Sequence, residues 1–203
     1  MKMNNLHLCI LIFLALAGCS SVTEPPIKYY ILNPVEQQPL VSVESSTPMN
    51  VRVIDLRIPQ YLEHFQIAKR SGQQQLTFSD DHQWGENLRK NLIRTLARNL
   101  GRQLDSPTVF TPLVRSSSKP DYAVTISIDQ FEQDSEGRIQ LSARYQISNP
   151  GEKRILTTRV FEQSLNNDRK NSYANMVATM QTLYNDFCVD ISTALMAIRG
   201  SQE

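Results

Sequence analysis

The chain has 203 residues, enough for one domain of ordinary size and too few for two domains with separate cores. Hydrophobic residues make up 40% of the chain and charged residues 20%, which excludes disorder of the whole chain on composition. The 21 Lys and Arg nearly balance the 20 Asp and Glu, giving a formal net charge of +1. This balance excludes the strongly basic surface that is typical of nucleic-acid-binding proteins.

The N-terminus has the pattern of a bacterial lipoprotein signal peptide. Lys2 precedes an apolar run over residues 6–17, which is too short to span a bilayer core of ~30 Å. The run ends in Leu16-Ala17-Gly18-Cys19, which has the form of a lipobox, whose cysteine thiol carries the lipid. The alternative is an ordinary signal peptide with a chance cysteine at its end. We predict a lipoprotein signal peptide over residues 1–18, a lipidated tether over 19–27 and a single periplasmic domain over 28–203.

The cysteines and the residue after the lipobox give two further expectations. Cys9 is lost with the signal peptide and Cys19 is lipidated, so Cys188 alone remains and no intramolecular disulfide forms. We expect Cys188 to act as a small buried hydrophobe. Ser20 follows the lipobox where an aspartate would favour retention in the inner membrane, so the outer membrane is favoured. Two or three acyl chains, such as palmitate, make this anchor effectively permanent.

The first half of the mature chain predicts short strands followed by a helix. Strands are predicted over residues 28–32, 50–56, 65–70 and 76–78. Trp84 and the leucines after it recur every four residues as far as Leu104, which predicts an amphipathic helix of about 20 residues. Asp80 and Asp81 would cap this helix, and Gly101 would either end it or lie inside it. Trp84 would lie in the first turn, packed in the core or contacting a partner.

The second half predicts a short strand, three further strands and a second helix. After a strand at 108–110, alternating apolar residues predict strands over 122–128 and 139–147, joined by a hairpin, and another over 154–165. Glu132, Asp134 and Glu136 are interpreted as a solvated turn. Apolar positions from 173 to 198 form one helical stripe, which packs on the sheet or lies on a membrane; its lack of basic residues favours the sheet. The predicted fold is α+β, a mostly antiparallel or mixed sheet with two long amphipathic helices packed on it.

No pattern in the chain indicates catalysis. The seven glycines form no nucleophile elbow, dinucleotide fingerprint or P-loop. The mature chain has His64 and His82 and no pair of cysteines, so we expect exposed loop histidines and no metal site. The protein is therefore predicted not to be an enzyme, and to carry no cofactor apart from the covalent lipid on Cys19.

Several segments follow one another in the order of a known family. They are Tyr29-Tyr30-Ile31-Leu32, residues 58–70, Trp84-Gly85-Glu86-Asn87-Leu88 and Asp121-Tyr122-Ala123-Val124. With the lipobox, they resemble the PqiC-like auxiliary lipoproteins of bacterial intermembrane transport systems. The chain departs from the family at Glu63-His64, where Asp-Arg is usual, and at Gly85, where alanine is usual. Any contact that needs an arginine at position 64 is therefore in doubt.

The resemblance implies an outer-membrane lipoprotein that faces the periplasm and supports envelope integrity. Its partner would be an MCE-domain membrane protein that carries lipid between the two membranes, and a tubular partner would suit a homo-oligomeric ring. The resemblance also yields the candidate partner-interface residues, which are Tyr61, Phe65, Arg70, Trp84 and Glu86. Residues 59–62, with the nearby phenylalanine, either pack under the sheet or form an exposed interface. The alternative function is a periplasmic lipid-binding carrier; an envelope enzyme is a third class without a recognisable nucleophile.

Overall fold

A computed structural model describes residues 25–35, 48–106, 109–113, 119–169 and 171–201. The signal peptide and Cys19 lie outside these residues. The described strands are β1 (Lys28–Tyr30), β2 (Val51–Arg57), β3 (Gln66–Arg70), β4 (Leu76–Trp84), β5 (Val109–Phe110), β6 (Tyr122–Gln133), β7 (Arg138–Asn149) and β8 (Arg154–Asn166). A 3-10 turn covers Gln60–Glu63, and the helices are α1 (Leu88–Gln103) and α2 (Tyr173–Gly200).

The strands form one mixed sheet of eight strands, which confirms the predicted α+β fold. Strands β6, β7 and β8 form an antiparallel meander, in which β8 pairs with β7 and with no other described strand. On its other side β6 pairs in parallel with β2, which in turn pairs with β5. The far end of β6 meets β3 through Lys69 and Gln133, and β4 and β1 continue the sheet from there. The sheet therefore divides beyond β6 into a β2–β5 branch and a β3–β4–β1 branch.

Helix α2 packs on the long strands and supplies the aromatic centre of the core. Phe187 lies between three other rings, with centroid separations of 5.9 Å to Tyr145, 5.2 Å to Phe161 and 6.0 Å to Tyr184. The residue Cys188 beside it is fully buried, as predicted. The packing on the sheet confirms the prediction that this helix belongs to the core. Among the described residues, no helix combines the length and the hydrophobicity that a membrane span requires.

The first helix begins later than the sequence predicted. Asp80, Asp81 and Trp84 all belong to strand β4, and α1 starts at Leu88 with Asn87 as its N-cap. The reason is that a spacing of four residues is a multiple of the strand period of two. Trp84 and Leu88 would therefore share a face in either structure, and the pairing of Tyr30 with Trp84 in β1–β4 decides for the strand. Gly101 lies inside the helix.

Three buried polar residues of α1 hold the segment that follows β1. Asn91 accepts a hydrogen bond from the backbone N–H of Leu32 (2.8 Å) and donates one to its carbonyl oxygen (3.0 Å). Thr95 donates to the same carbonyl, and Asn99 accepts from the backbone N–H of Val35 at 3.0 Å. This arrangement satisfies backbone groups that no sheet neighbour reaches. The chain leading from the tether is thus fixed to the helix layer.

Candidate functional site

The segment with the family-like pattern runs from the end of β2 through the 3-10 turn into β3. The turn is closed by the backbone N–H of Leu62, which donates to the carbonyl of Pro59 at 3.0 Å. Leu62 is buried, whereas Phe65, three residues later, is 58% exposed. The sequence left open whether this segment packs under the sheet or forms an exposed surface, and each alternative describes a different residue. The turn packs into the fold, and the residue that follows it is displayed.

Tyr61 and Arg70 meet at one buried carboxylate. Glu132, on β6, has a side chain that is 1% exposed, and it accepts a hydrogen bond from Tyr61 Oη at 2.7 Å. Its other oxygen accepts from Arg70 Nε at 2.6 Å. Because a buried charge is costly unless it is paired and hydrogen-bonded, this cluster requires all three partners together. Glu132 therefore fastens both ends of the segment from Tyr61 to Arg70 to the central strand.

The contacts of this cluster raise the pKa values of both Tyr61 and Arg70. Burial and then the hydrogen bond to Glu132 raise the pKa of Tyr61, so its hydroxyl stays protonated and donates. The hydrogen bond to Glu132 also raises the pKa of Arg70. The cluster is thus a permanent ion pair with a neutral phenol beside it. Such a cluster holds the segment in position against the central strand.

Sequence reasoning missed Glu132, because it interpreted this residue as part of a solvated turn. Asp134 and Glu136 do lie at the hairpin turn, where Gly137 has a φ of 88°. Two residues earlier the strand alternation places Glu132 against the short strand β3, where Lys69 pairs with Gln133. The usable signal was a carboxylate within an apolar strand, together with an arginine elsewhere that needs a partner.

Trp84 and Glu86 are engaged within the protein. Trp84 is only 3% exposed and packs in the core, so the core alternative describes it. Its backbone N–H donates to the carbonyl of Phe65 at 2.7 Å, which ties the end of β4 to the start of β3. Glu86 forms an ion pair with Arg94 of α1. Of the five predicted interface residues, Phe65 is the one whose side chain is largely exposed.

Two further exposed rings belong to the residue before Phe65 in the chain and to strand β4. His64 is exposed, as predicted, and its ring lies 5.0 Å from that of Phe78, which is 37% exposed. We call His64, Phe65 and Phe78 the aromatic patch. Among the described contacts, no Asp or Glu side chain pairs with the aromatic patch. The patch therefore offers mainly apolar surface. Aromatic side chains in such a position are common anchors of protein interfaces.

His82, in contrast, is not an exposed loop histidine. It lies in β4, its Nδ1 is 2.8 Å from Tyr30 Oη, and its ring stacks on Tyr173 at 4.1 Å. Lys69 Nζ lies 3.6 Å from the centroid of the Tyr173 ring. Burial lowers the pKa of Lys69. These contacts join β1, β4 and β3 to the start of α2.

The described residues contain no group of three or more His, Cys, Asp or Glu side chains that could hold a metal ion. Between the sheet and α2 the space is occupied by the protein's own aromatic rings, including Phe131, whose ring lies 6.0 Å from that of Tyr184. The arrangement is therefore that of a packed scaffold that presents surfaces.

The sequence profile of the ABC-type transport auxiliary lipoprotein components matches residues 30–192. The chain belongs to this family. The match covers most of the chain and confirms the resemblance to the PqiC-like lipoproteins. A transport-associated role as a membrane-anchored lipoprotein of the cell envelope follows from the family. No match was found among curated protein sequences.

Solved structures support the fold of this auxiliary lipoprotein. A protein of Xanthomonas campestris has a TM-score of 0.70 at 14% identity, covering 87% of this chain and 100% of its own. An uncharacterised protein has a TM-score of 0.66 at 17% identity, covering 84% of this chain and 99% of its own. At these identities the likeness concerns the fold alone.

Proposed function

We propose that this lipoprotein is anchored through Cys19 in the outer membrane, faces the periplasm, and docks the end of an MCE-domain protein that carries lipid between the membranes. In this way it supports envelope integrity without catalysing a reaction. The observation that carries the proposal is the exposed Phe65 of the aromatic patch, which lies on the segment that Tyr61 and Arg70 hold to Glu132. The family match and the lipobox support the anchored, transport-associated part.

The physical argument is one of preorganisation. Phe65 is held by the backbone bond to Trp84 on one side, and its segment is fastened by Tyr61 and Arg70 on the other. A side chain that is already fixed loses little conformational entropy on binding, so its buried area contributes more to affinity. Tyr61, Arg70 and Trp84 thus act as supports, and Phe65 is the contact residue.

Self-association into a ring is part of the proposal and is supported by the free edge of β8. This strand has 13 residues, and within the described part of the chain it pairs with β7 alone. Its side chains of Ile155 and Val160 are each 59% exposed. Long unprotected edges are surfaces through which strands of other chains pair. We expect native mass spectrometry of the detergent-extracted lipoprotein to show more than one copy, and Val160→Lys to reduce that number. A monomer at all concentrations would remove the ring from the proposal.

The experiment that tests docking is co-purification of the full-length, C-terminally tagged lipoprotein in mild detergent. An MCE-domain protein is expected among the specific partners, and Phe65→Ser is expected to lower its recovery by about tenfold or more. Ile54→Ser is the matched control, because Ile54 is 49% exposed on β2 and undergoes the same change in polarity. If Phe65→Ser and Ile54→Ser both lose the partner, the contact does not depend specifically on the aromatic patch.

Two other outcomes would contradict the proposal. Absence of any MCE-domain protein from the wild-type preparation would remove the docking function. Bound phospholipid without a protein partner would favour the lipid-carrier alternative. Cys19→Ser is expected to abolish function in cells while leaving the folded domain intact, since the anchor and the domain are separate parts of the chain. Unaltered envelope integrity in that variant would contradict the need for an anchor.

A further inference from the structure

The strand that follows the tether displays apolar side chains on its outer side. In an extended chain, alternate residues point to the same side, and Ile27, Tyr29 and Ile31 are alternate residues. They are 45%, 65% and 48% exposed. Tyr30, between them, faces inward and bonds to His82. We call Ile27, Tyr29 and Ile31 the β1 apolar face.

Gly85 makes this face continuous across the end of the sheet. A Cβ atom at Gly85 would lie 3.2 Å from Ile31 Cγ2 and 3.8 Å from Tyr29 Cβ. The missing side chain therefore lets both residues lie close against the backbone of the next strand. The face is also rigid, because Leu32 directly after it is fixed by Asn91 and Thr95 of α1.

The length of the tether restricts what can cover this face. From Cys19 to Ile27 the chain advances eight residues, which span at most about 26–29 Å when fully extended. Because β1 continues directly from the tether, its side chains lie nearer to the lipid anchor along the chain than any other part of the domain. Tyrosine and isoleucine next to an exposed lysine, Lys28, are side chains that favour the boundary between lipid headgroups and acyl chains.

We propose that the β1 apolar face rests on the phospholipid surface in which Cys19 is anchored, and so sets the orientation of the domain. The inference rests on the lipidation that is part of the proposed function. With the anchor in place the face is held at high local concentration beside the bilayer, so weak contacts of three side chains suffice. The aromatic patch, which joins β4 through the Phe65–Trp84 bond, then lies close to the membrane surface.

The test uses the full lipidated protein in vesicles of phosphatidylethanolamine and phosphatidylglycerol that contain lipid with a nitroxide near the top of the acyl chain. An environment-sensitive fluorophore is attached in Tyr29→Cys and, as the matched control, in Ile54→Cys, which is similarly exposed on β2 in the other branch of the sheet. We expect the nitroxide lipid to quench the Tyr29→Cys label at least about twofold more strongly than the control label. A second readout is the Ile27→Ser/Ile31→Ser variant carrying the same label, in which quenching is expected to fall towards the control.

Flotation of the vesicles separates failure of this inference from failure of the anchor. Equal quenching at both positions, in protein that floats with the vesicles, would overturn the inference and leave the anchor intact. A shielded Tyr29→Cys label that lipid does not quench would assign the face to a second copy or a protein partner, and would also overturn it. Protein that does not float would contradict lipidation and, with it, the inference.

Discussion

The Asn91 side chain on α1 bonds to both backbone groups of Leu32, accepting from the N–H at 2.8 Å and donating to the carbonyl oxygen at 3.0 Å. Asn91→Ala is expected to lower the free energy of unfolding by about 1–3 kcal/mol, because the Leu32 N–H is left buried without a partner. Urea denaturation measures this change. Arg98→Ala, an exposed change on the same helix, is the control and should stay within about 0.5 kcal/mol. Equal stabilities of the two variants would show that the chain segment is held by other contacts.

Removing the charge of Glu132 takes away the carboxylate to which Tyr61 and Arg70 both donate hydrogen bonds. Glu132→Gln keeps the shape but leaves the Arg70 guanidinium unpaired, so the free energy of unfolding is expected to fall by about 3 kcal/mol. Since Arg70 is 25% exposed, water compensates in part, and the effect lies at the lower end for a buried pair. Adding Arg70→Met should recover part of the loss, as expected for residues in direct contact. Simple additivity of the two changes would contradict the coupling.

The stability of the hairpin depends on pH through Asp134. Burial alone would raise its pKa, but hydrogen bonds from the backbone and side chain of Arg138, from Gln140 and from the backbone of Glu136 hold that pKa below the usual value. A carboxylate with a lowered pKa stabilises the folded state above the unfolded pKa, and this contribution is lost as the pH falls below about 4. Asp134→Asn should therefore lower stability at pH 7 and weaken the loss of stability in acid.

A matched control for this prediction is Asp129→Asn. Asp129 lies on β6, and its side chain is 43% exposed and paired with an exposed Arg144. Exposed pairs contribute little, so this variant should follow the wild-type curve between pH 3 and pH 7 to within about 0.5 kcal/mol. Thermal unfolding followed by circular dichroism gives both curves. If the two variants lose the same stability as the pH falls, the pH dependence comes from other carboxylates.

The thiol of Cys188 is expected to be inert in the folded protein. Burial raises its pKa to about 12, so the reactive thiolate is scarce at pH 8, and the sulfur is inaccessible as well. Native protein should resist alkylation by iodoacetamide, and the thiol should react once urea unfolds the chain. Ile54→Cys provides an exposed thiol for comparison, because Ile54 is 49% exposed on β2. Alkylation of the wild type at a similar rate would show that α2 opens readily from the sheet.

The prediction of the long elements succeeded because their patterns permit one structure. Apolar residues alternate over 122–128 in β6 and over 139–147 in β7, and α2 carries an apolar stripe from 173 to 198. Ser172 caps α2, its hydroxyl accepting from the N–H of Asn175. In such elements local propensity and burial favour the same structure, so the fold class followed from the sequence.

Local sequence patterns did not decide where α1 begins or which side chains pair with one another in the candidate site. Trp84 fitted the helical spacing, but strand pairing with Tyr30 placed it in β4. The hydrogen bond between Arg70 and Glu132 joins residues that are 62 positions apart. A periodic pattern of apolar residues does not reveal a contact over such a separation in sequence. The sequence identified Phe65 and Trp84 as equivalent candidates, and burial of one and exposure of the other separated them.

By itself, therefore, the sequence determined the lipobox pattern, the α+β class, the long strands and helices, and the family to which the chain belongs. These properties depend on local patterns, in which neighbouring residues carry the information. Only the tertiary structure decided which residues of the segment from Tyr61 to Arg70 support it and which are displayed. The reason is physical: a carboxylate such as Glu132 becomes a structural support only when folding removes it from water beside its partners.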